Sequence, residues 1–280
     1  MNVLKSFAKV NLGLRVLGKR PDGYHELETL MHEIDLHDTI EISSAEETSL
    51  HAPGMSSEDN CNNLVIKAYE MLKQRFPEHI KNYHFKLHKH IPLGGGLGGG
   101  SSNAICVLKF LWERDVPEGT DTKILDDLAA SLGSDTNFFL QGGTALCLGR
   151  GEKIVALDNK QYFFNLLLPD FSCSTPSVFR VYAHKEQDRL GSLEDLWKKG
   201  RGLGENDLRH ACLEAYPKMK QVMDSLGDSC GKIHLSGSGS TLYSYHTSME
   251  ERDEQYRLLI EGLKGSLALK VLKSQSVFRL

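Results

Sequence analysis

The chain has 280 residues, 40% of them hydrophobic and 25% charged, and its 33 Lys and Arg against 37 Asp and Glu leave a net charge of −4. That length suits one large core or two modest domains, and two are expected. No apolar run approaches the ~20 residues that cross a bilayer, and no basic block offers the footprint of a polynucleotide binder, so neither membrane nor nucleic acid is an expected partner.

The opening residues MNVLKSFAKVNLGL lack the basic start and apolar stretch of a secretory signal, and a cytoplasmic location is expected. Val3 to Leu17 mixes β-branched, apolar and small residues and stops at Gly18 and the turn Arg20-Pro21-Asp22-Gly23, which predicts a strand and a loop. Asp38 to Ser43 alternates Thr39, Glu41 and Ser43 with Ile40 and Ile42, the period of a half-buried strand, and a polar connection runs on to Asn60. Leu64, Ala68, Met71 and Leu72 share one helical face, and that helix should end before Pro77. Tyr83, Phe85 and Leu87 alternate with His84, Lys86 and His88, so a strand leads into a glycine-rich loop. Beyond it, Ala104, Val107, Leu108 and Leu111 predict a helix that Ser101 or Ser102 could cap.

Leu125, Leu128, Ala129 and Leu132 predict a further helix stopped at Gly133, and Asp135 follows at once. Strands are predicted at Thr144 to Leu148 and Tyr162 to Leu168, with a boundary near residue 157 that separates a domain 1–156 from a domain 157–280. The second part carries a helical stretch from Leu208 to Leu226, a strand at Lys232 to Leu235, the run SGSGS, a strand at Thr241 to Tyr245 and a final charged helix. Cys61, Cys106, Cys147, Cys173, Cys212 and Cys230 are scattered without CxxC or zinc spacing and read as reduced thiols.

In HIPLGGGLGGGSSNA, the loop from Pro92 through Leu93, Gly94, Gly95, Gly96, Leu97, Gly98, Gly99 and Gly100 to Ser101 and Ser102 removes the side chains that would hold an anion off the backbone. A helix follows, whose first-turn N–H groups and positive dipole end suit a phosphate. No Gly-Lys-Ser/Thr closes the loop, so it is not a P-loop, and a flexible linker is disfavoured between a strand and an amphipathic helix. The serines add hydroxyls for phosphate or magnesium.

Other residues stay open on spacing alone. Lys9 lies between Ala8 and Val10, where burial demands a partner but an edge-strand face would serve as well. Asp135 could cap a helix or act as a base. SGSGS could be a tight turn, Tyr24 a loop aromatic and Phe179 a core residue. His84, His88 and His90 share a face that resembles a metal site, yet a solvated strand face is commoner and no partner completes a shell.

These residues together carry a resemblance. PLGGGLGGGSSNA is similar to the ATP loop of the GHMP kinases, the family of galactokinase, homoserine kinase and mevalonate kinase, and FAKVNLGLRVLGKRPDGYHELETL, LGSDTNFFLQGGTALCLGRGE and LSGSGSTLY agree in order and spacing over nearly the whole chain. The resemblance implies an α/β (α+β) two-domain kinase, with an S5-type N-terminal domain that binds ATP and a ferredoxin-like C-terminal domain, using ATP and Mg2+. It implies Asp135 as catalytic base and Lys9 as the lysine that orients it, with Lys89 and Asn63 near the adenine. Within the family the motif set resembles members whose acceptor is a cytidine diphosphate-linked methylerythritol. Tyr24 and Phe179 would then sandwich the cytosine, His25 would bond its edge, and Asn11, Thr175, Gly237, Ser238 and Gly239 would complete the acceptor contacts. A small-molecule kinase of another branch, such as a homoserine kinase, is the alternative, and a monomer or weak homodimer is expected. Where the family generally has Gly-Ala-Asp-Val-Pro, this chain has Gly133-Ser134-Asp135-Thr136-Asn137, which puts the rigidity around the aspartate in question.

Overall fold

The structure is a computed structural model that describes residues 1–54, 63–183, 191–200, 202–227, 232–263 and 269–278. Cys61, Cys230 and the end of the polar connection toward Asn60 lie outside the described residues. The expected mixed α/β architecture is present as two compact units: 1–8, 36–91 and 98–142 form one, and 9–35, 92–97 and 143–280 form the other. Two long strands, β1 (Asn2–Lys19) and β2 (His25–Ser44), contribute to both.

In the first unit, β3 (Ser49–His51) runs parallel to β4 (Tyr83–His88), which pairs antiparallel with the end of β2, Ile40 opposite Leu87 and Ile42 opposite Phe85. The alternation of β4 places Tyr83, Phe85 and Leu87 inward, as its pattern predicts. Four helices pack on one another: α1 (Leu64–Arg75), α2 (Gly99–Asp115), α3 (Lys123–Leu132) and α4 (Thr136–Gln141). Helix α1 ends at Arg75, ahead of Pro77, with Lys73 and Arg75 in the last turn, where cations suit the dipole.

In the second unit, β5 (Thr144–Gly149) pairs with the start of β2, Leu30 opposite Leu146, and with β6 (Lys153–Ala156). A four-stranded antiparallel sheet has the order β10-β7-β9-β8, made of β7 (Phe163–Pro169), β8 (His234–Leu235), β9 (Leu242–His246) and β10 (Leu269–Gln275). Among its described residues the unit also has five helices: α5 (Thr175–Val181), α6 (Leu193–Lys199), α7 (Arg209–Ala215), α8 (Pro217–Leu226) and α9 (Met249–Gly262). Helix α9 packs on β7, β9 and β10, while α5, α7 and α8 enclose a core that includes Val178, Cys212, Met219 and Val222.

Several expectations are corrected. The helical stretch 208–226 is two helices, because Pro217 lacks the N–H to continue α7 and instead starts α8. Strand β2 begins thirteen residues before Asp38, at His25. Its first half hides from pattern reading because Thr29 to Ile34 are buried on both faces, the polar ones being satisfied by side-chain bonds. His32 sits between Thr144 Oγ1 at 2.8 Å and Ser276 Oγ at 2.6 Å, and Glu33 accepts from Gly143 N at 3.0 Å. The charged helix is followed by the unexpected β10, and helices α5 and α6 are also additions. Among the described residues, no disulfide joins Cys106, Cys147, Cys173 or Cys212.

Candidate functional site

The first half of the glycine loop is shaped by close backbone approach. Gly94 and Gly96 adopt φ +62° and +74°, conformations that favour glycine. A Cβ on Gly96 would stand 2.2 Å from Ser236 O and 3.0 Å from Gly239 O, and one on Gly95 would stand 2.9 Å from Thr241 Oγ1. The loop carbonyls are bound in turn. Thr241 N donates to Gly95 O at 3.1 Å, Ser236 Oγ to Gly96 O at 2.9 Å, and Cys173 N to Gly94 O at 3.4 Å. Leu97 is buried, whereas Leu93 is exposed next to Pro92.

The second half starts a helix, and earlier than its serines suggested. Gly98, at φ +70°, is the N-cap of α2, which begins at Gly99, and no side chain caps it. Ser102 N already donates to Gly98 O at 2.9 Å, so neither serine occupies the capping position. The first-turn N–H groups of Gly99, Gly100 and Ser101 are thereby left without a side-chain cap, the condition an anion site needs. Ser102 is buried, its Oγ 2.7 Å from Ser6 Oγ, while Ser101 is only partly covered.

Lys9 is 3% exposed in β1, and its ammonium donates to Asn11 Oδ1 at 2.6 Å and to Gly96 O at 3.0 Å. Residues i and i+2 of a strand share a face, which sets the two side chains together. Asn11 Nδ2 donates to Thr29 Oγ1 at 2.8 Å, and Thr29 Oγ1 donates to Gly13 O at 2.8 Å, so the amide's orientation follows from its partners. Asn11 also receives Tyr243 OH on its carbonyl at 2.8 Å, and its N–H points at Ser236 Oγ at 3.3 Å. A Cβ on Gly237 would lie 3.3 Å from Asn11 Oδ1. Lys9, Asn11, Gly96 and the Ser236–Thr241 turn therefore converge.

Asp135 is the N-cap residue of α4 by position, but its side chain makes no capping hydrogen bond. The missing Val-Pro pair has a local substitute. Thr136 is fully buried, and its hydroxyl lies 2.5 Å from Ala129 O and 2.6 Å from Gly133 O, tying the turn that carries Asp135 back onto α3. Asn137 Nδ2 adds a bond to Asp126 O at 3.2 Å.

Among the remaining candidates, Thr175 Oγ1 and Ser238 Oγ are 2.7 Å apart, bringing α5 to the SGSGS turn. His25 and Phe179 stack directly on each other, ring centres 4.8 Å apart at 22°, and Phe179 also packs on the core. That spacing is ring-to-ring contact, so this pair encloses no gap for a base. Tyr24 is 54% exposed, and the Arg150 guanidinium lies over its ring at 4.5 Å. Lys89 pairs with the buried Asp38, which also accepts His90 N at 2.6 Å and Ile91 N at 2.8 Å. The Lys89 ammonium lies 3.2 Å from where a Gly99 Cβ would be, beside the start of α2. Asn63 caps α1, its Oδ1 accepting Val65 N at 3.0 Å. His84 bonds Ser49 and His88 bonds Glu41. Thr29, Ser236, Thr241, Tyr243 and Arg150 carry no separate signal as site residues, although each lies inside a motif of the resemblance: Thr29 in FAKVNLGLRVLGKRPDGYHELETL, Arg150 in LGSDTNFFLQGGTALCLGRGE and the other three in LSGSGSTLY.

Residues 63–143 match the family model described as GHMP kinases N terminal domain. A 4-diphosphocytidyl-2-C-methyl-D-erythritol kinase from Persephonella marina is 36% identical over 88% of this chain and 91% of the relative. Another of that name, from Caldanaerobacter subterraneus subsp. tengcongensis, is 34% identical over 94% of this chain and 92% of the relative. Among solved structures, a 4-(cytidine 5'-diphospho)-2C-methyl-D-erythritol kinase superposes with a TM-score of 0.78 at 27% identity, covering 99% of this chain and 100% of the other. A homoserine kinase from Cytophaga hutchinsonii shares the fold at a TM-score of 0.65 and 16% identity, over 99% of this chain and 95% of the other.

Proposed function

This chain belongs to the GHMP kinase family of ATP-dependent small-molecule kinases, and from that membership we propose that it transfers the γ-phosphoryl group of ATP to the 2-hydroxyl of 4-diphosphocytidyl-2-C-methyl-D-erythritol. The products are the 2-phosphate and ADP, a step of non-mevalonate isoprenoid biosynthesis. The observation that carries the proposal is the buried Lys9 ammonium, bonded to Asn11 and to Gly96 of the glycine loop. The loop pattern supplies phosphate binding, the lysine supplies a cation at that loop, and the near full-length likeness supplies the acceptor.

In the proposed mechanism the backbone N–H groups of Gly94 to Gly100 and the start of α2 hold the triphosphate, with Ser101 as the more open hydroxyl. Asp135 takes the proton of the acceptor hydroxyl as base, and Lys9 is its orienting cation. The acceptor oxygen bonds to the γ-phosphorus as the bond to the β-phosphate oxygen breaks, so ADP leaves. Positioning and charge stabilisation account for most of the acceleration in such a transfer. Asn11, Thr175 and the Gly237–Gly239 turn would contact the acceptor's polyol, Tyr24, His25 and Phe179 its pyrimidine, and Asn63 and Lys89 the nucleotide.

The serine hydroxyls of the loop suit a magnesium ion carried in on the triphosphate; among the described residues there is no group of three or more His, Cys, Asp or Glu placed for a metal. Such an ion neutralises phosphate charge. The division at residue 157, a cytoplasmic setting near the ATP supply and a monomer or weak homodimer belong to the same proposal; no helix among the described residues is long and apolar enough to cross a membrane. Purified protein given the cytidine diphosphate acceptor and Mg-ATP should release ADP. Turnover of homoserine instead, with none of that acceptor, would assign the chain to another branch.

A further inference from the structure

Arg150 sits in the tight turn between β5 and β6, flanked by Gly149 at φ +76° and Gly151 at φ +118°. Its backbone N–H donates to Glu152 Oε2 at 2.6 Å, which fixes the turn while leaving the side chain uncommitted. The guanidinium carbon rests 4.5 Å above the Tyr24 ring. Among the described residues it has no ion pair and no hydrogen bond, whereas Arg15, Arg20 and Arg252 each hold a carboxylate. Asp22, the acid close enough for its charge to be felt, is already engaged by Arg20 at 3.1 Å and by Tyr24 N at 3.1 Å.

A planar cation with five N–H donors is thus parked on an exposed aromatic ring, one residue along the chain from the His25 that stacks on Phe179. Guanidinium matches phosphate oxygens in bidentate geometry, and its stacking on an exposed ring contributes only ~0.5–1 kcal/mol, weak enough to exchange for a charge-assisted bond. The chemistry that suits this pairing is a flat ring carrying a diphosphate. We propose that Arg150 is a specificity residue that binds the diphosphate of the acceptor while Tyr24 takes its pyrimidine. This rests on the acceptor class proposed above and adds a residue to it.

The test is calorimetric titration of the full chain with CDP and with cytidine. Charge-assisted hydrogen bonds of the kind lost in Arg150→Met correspond to roughly 10- to 100-fold in affinity. Wild type should bind CDP at least about tenfold more tightly than cytidine, and Arg150→Met should erase most of that preference while leaving cytidine affinity within about twofold. Arg150→Lys should keep part of it, since a point charge remains without the fork. In turnover, Arg150→Met should raise the acceptor KM by a similar factor with little change in kcat, the mark of a binding contact. A purely structural cation–π contact would instead lower the unfolding midpoint and leave the CDP-to-cytidine ratio alone. That unchanged ratio would overturn the assignment and leave the acceptor class standing, whereas a wild type that binds neither compound would overturn both.

Discussion

Replacing Gly96 with alanine should disable the phosphate loop without removing any side chain. An L-residue at φ +74° costs ~1–2 kcal/mol. The new methyl would also meet Ser236 O at 2.2 Å and Gly239 O at 3.0 Å, and both are backbone atoms that cannot swing aside as a side-chain end would. The loop or the turn must move, although Lys9 Nζ and Ser236 Oγ both hold the Gly96 carbonyl in place. Overpacking of this kind costs ~1–3 kcal/mol, so Gly96→Ala should lose roughly 2–5 kcal/mol altogether. A displacement of about 1 Å beside the chemistry should cut kcat/KM for ATP by ~100-fold. Gly100→Ala is the matched control. Its nearest neighbour would be Leu64 Cδ1 at 3.6 Å and its backbone is already helical, so it should gain ~0.5 kcal/mol. Urea unfolding and steady-state ATP kinetics on both variants decide the matter. A Gly96→Ala protein with the wild-type midpoint and ATP kinetics would refute the steric account of the loop.

Asp135→Asn should lower kcat by ~10²–10⁴-fold, as expected for a base; a full-rate variant would remove the base assignment. Thr136→Val should cost ~1 kcal/mol by leaving Ala129 O and Gly133 O short of a donor, and adding Asn137→Pro should restore part of kcat if rigidity of that turn is what matters. Arg15→Met should destabilise by ~3 kcal/mol, since it strands Glu28, which is only 12% exposed and has lost its cation; a midpoint shift under a third of that would count against a buried pair. Burial pushes His32 down to about 3, so the folded chain holds it neutral while the unfolded chain protonates near pH 6.5. Its contribution is complete above that pH and is lost as pH falls toward 3, about 2 kcal/mol between pH 7 and 5. His234, lowered to about 4 chiefly by burial, adds in the same direction. Equal urea midpoints at pH 7 and pH 5 would contradict this.

Local rules made much of this protein legible before its structure. The alternation of Tyr83 to His88, the helix over Leu64 to Leu72 and the stops at Pro77 and Gly133 depend on neighbours within a few positions, and the structure has each of them, although the helix buries Val65 and Tyr69 beside Ala68 and Leu72 where Leu64 and Met71 were expected. The run of glycines announces a backbone that must come close to something, and together with three other motifs it points to a kinase family. What that backbone comes close to was not legible, because Gly96 meets Ser236 across 140 positions and Asn11 meets Ser236 across 225. Tyr243 joins the site through its bond to Asn11 across 232 positions, and Thr29 through its bond to Asn11 across 18. The start of α2 also depended on the fold: Gly98 takes a left-handed conformation, so the helix begins on glycines and leaves its N–H groups open, where residue preference favoured a serine cap. Residue type and short-range spacing determined which chemistry this chain is equipped for. Only the tertiary contacts decided which carbonyl Lys9 holds, which ring faces His25, and that the Arg150 guanidinium lies over Tyr24.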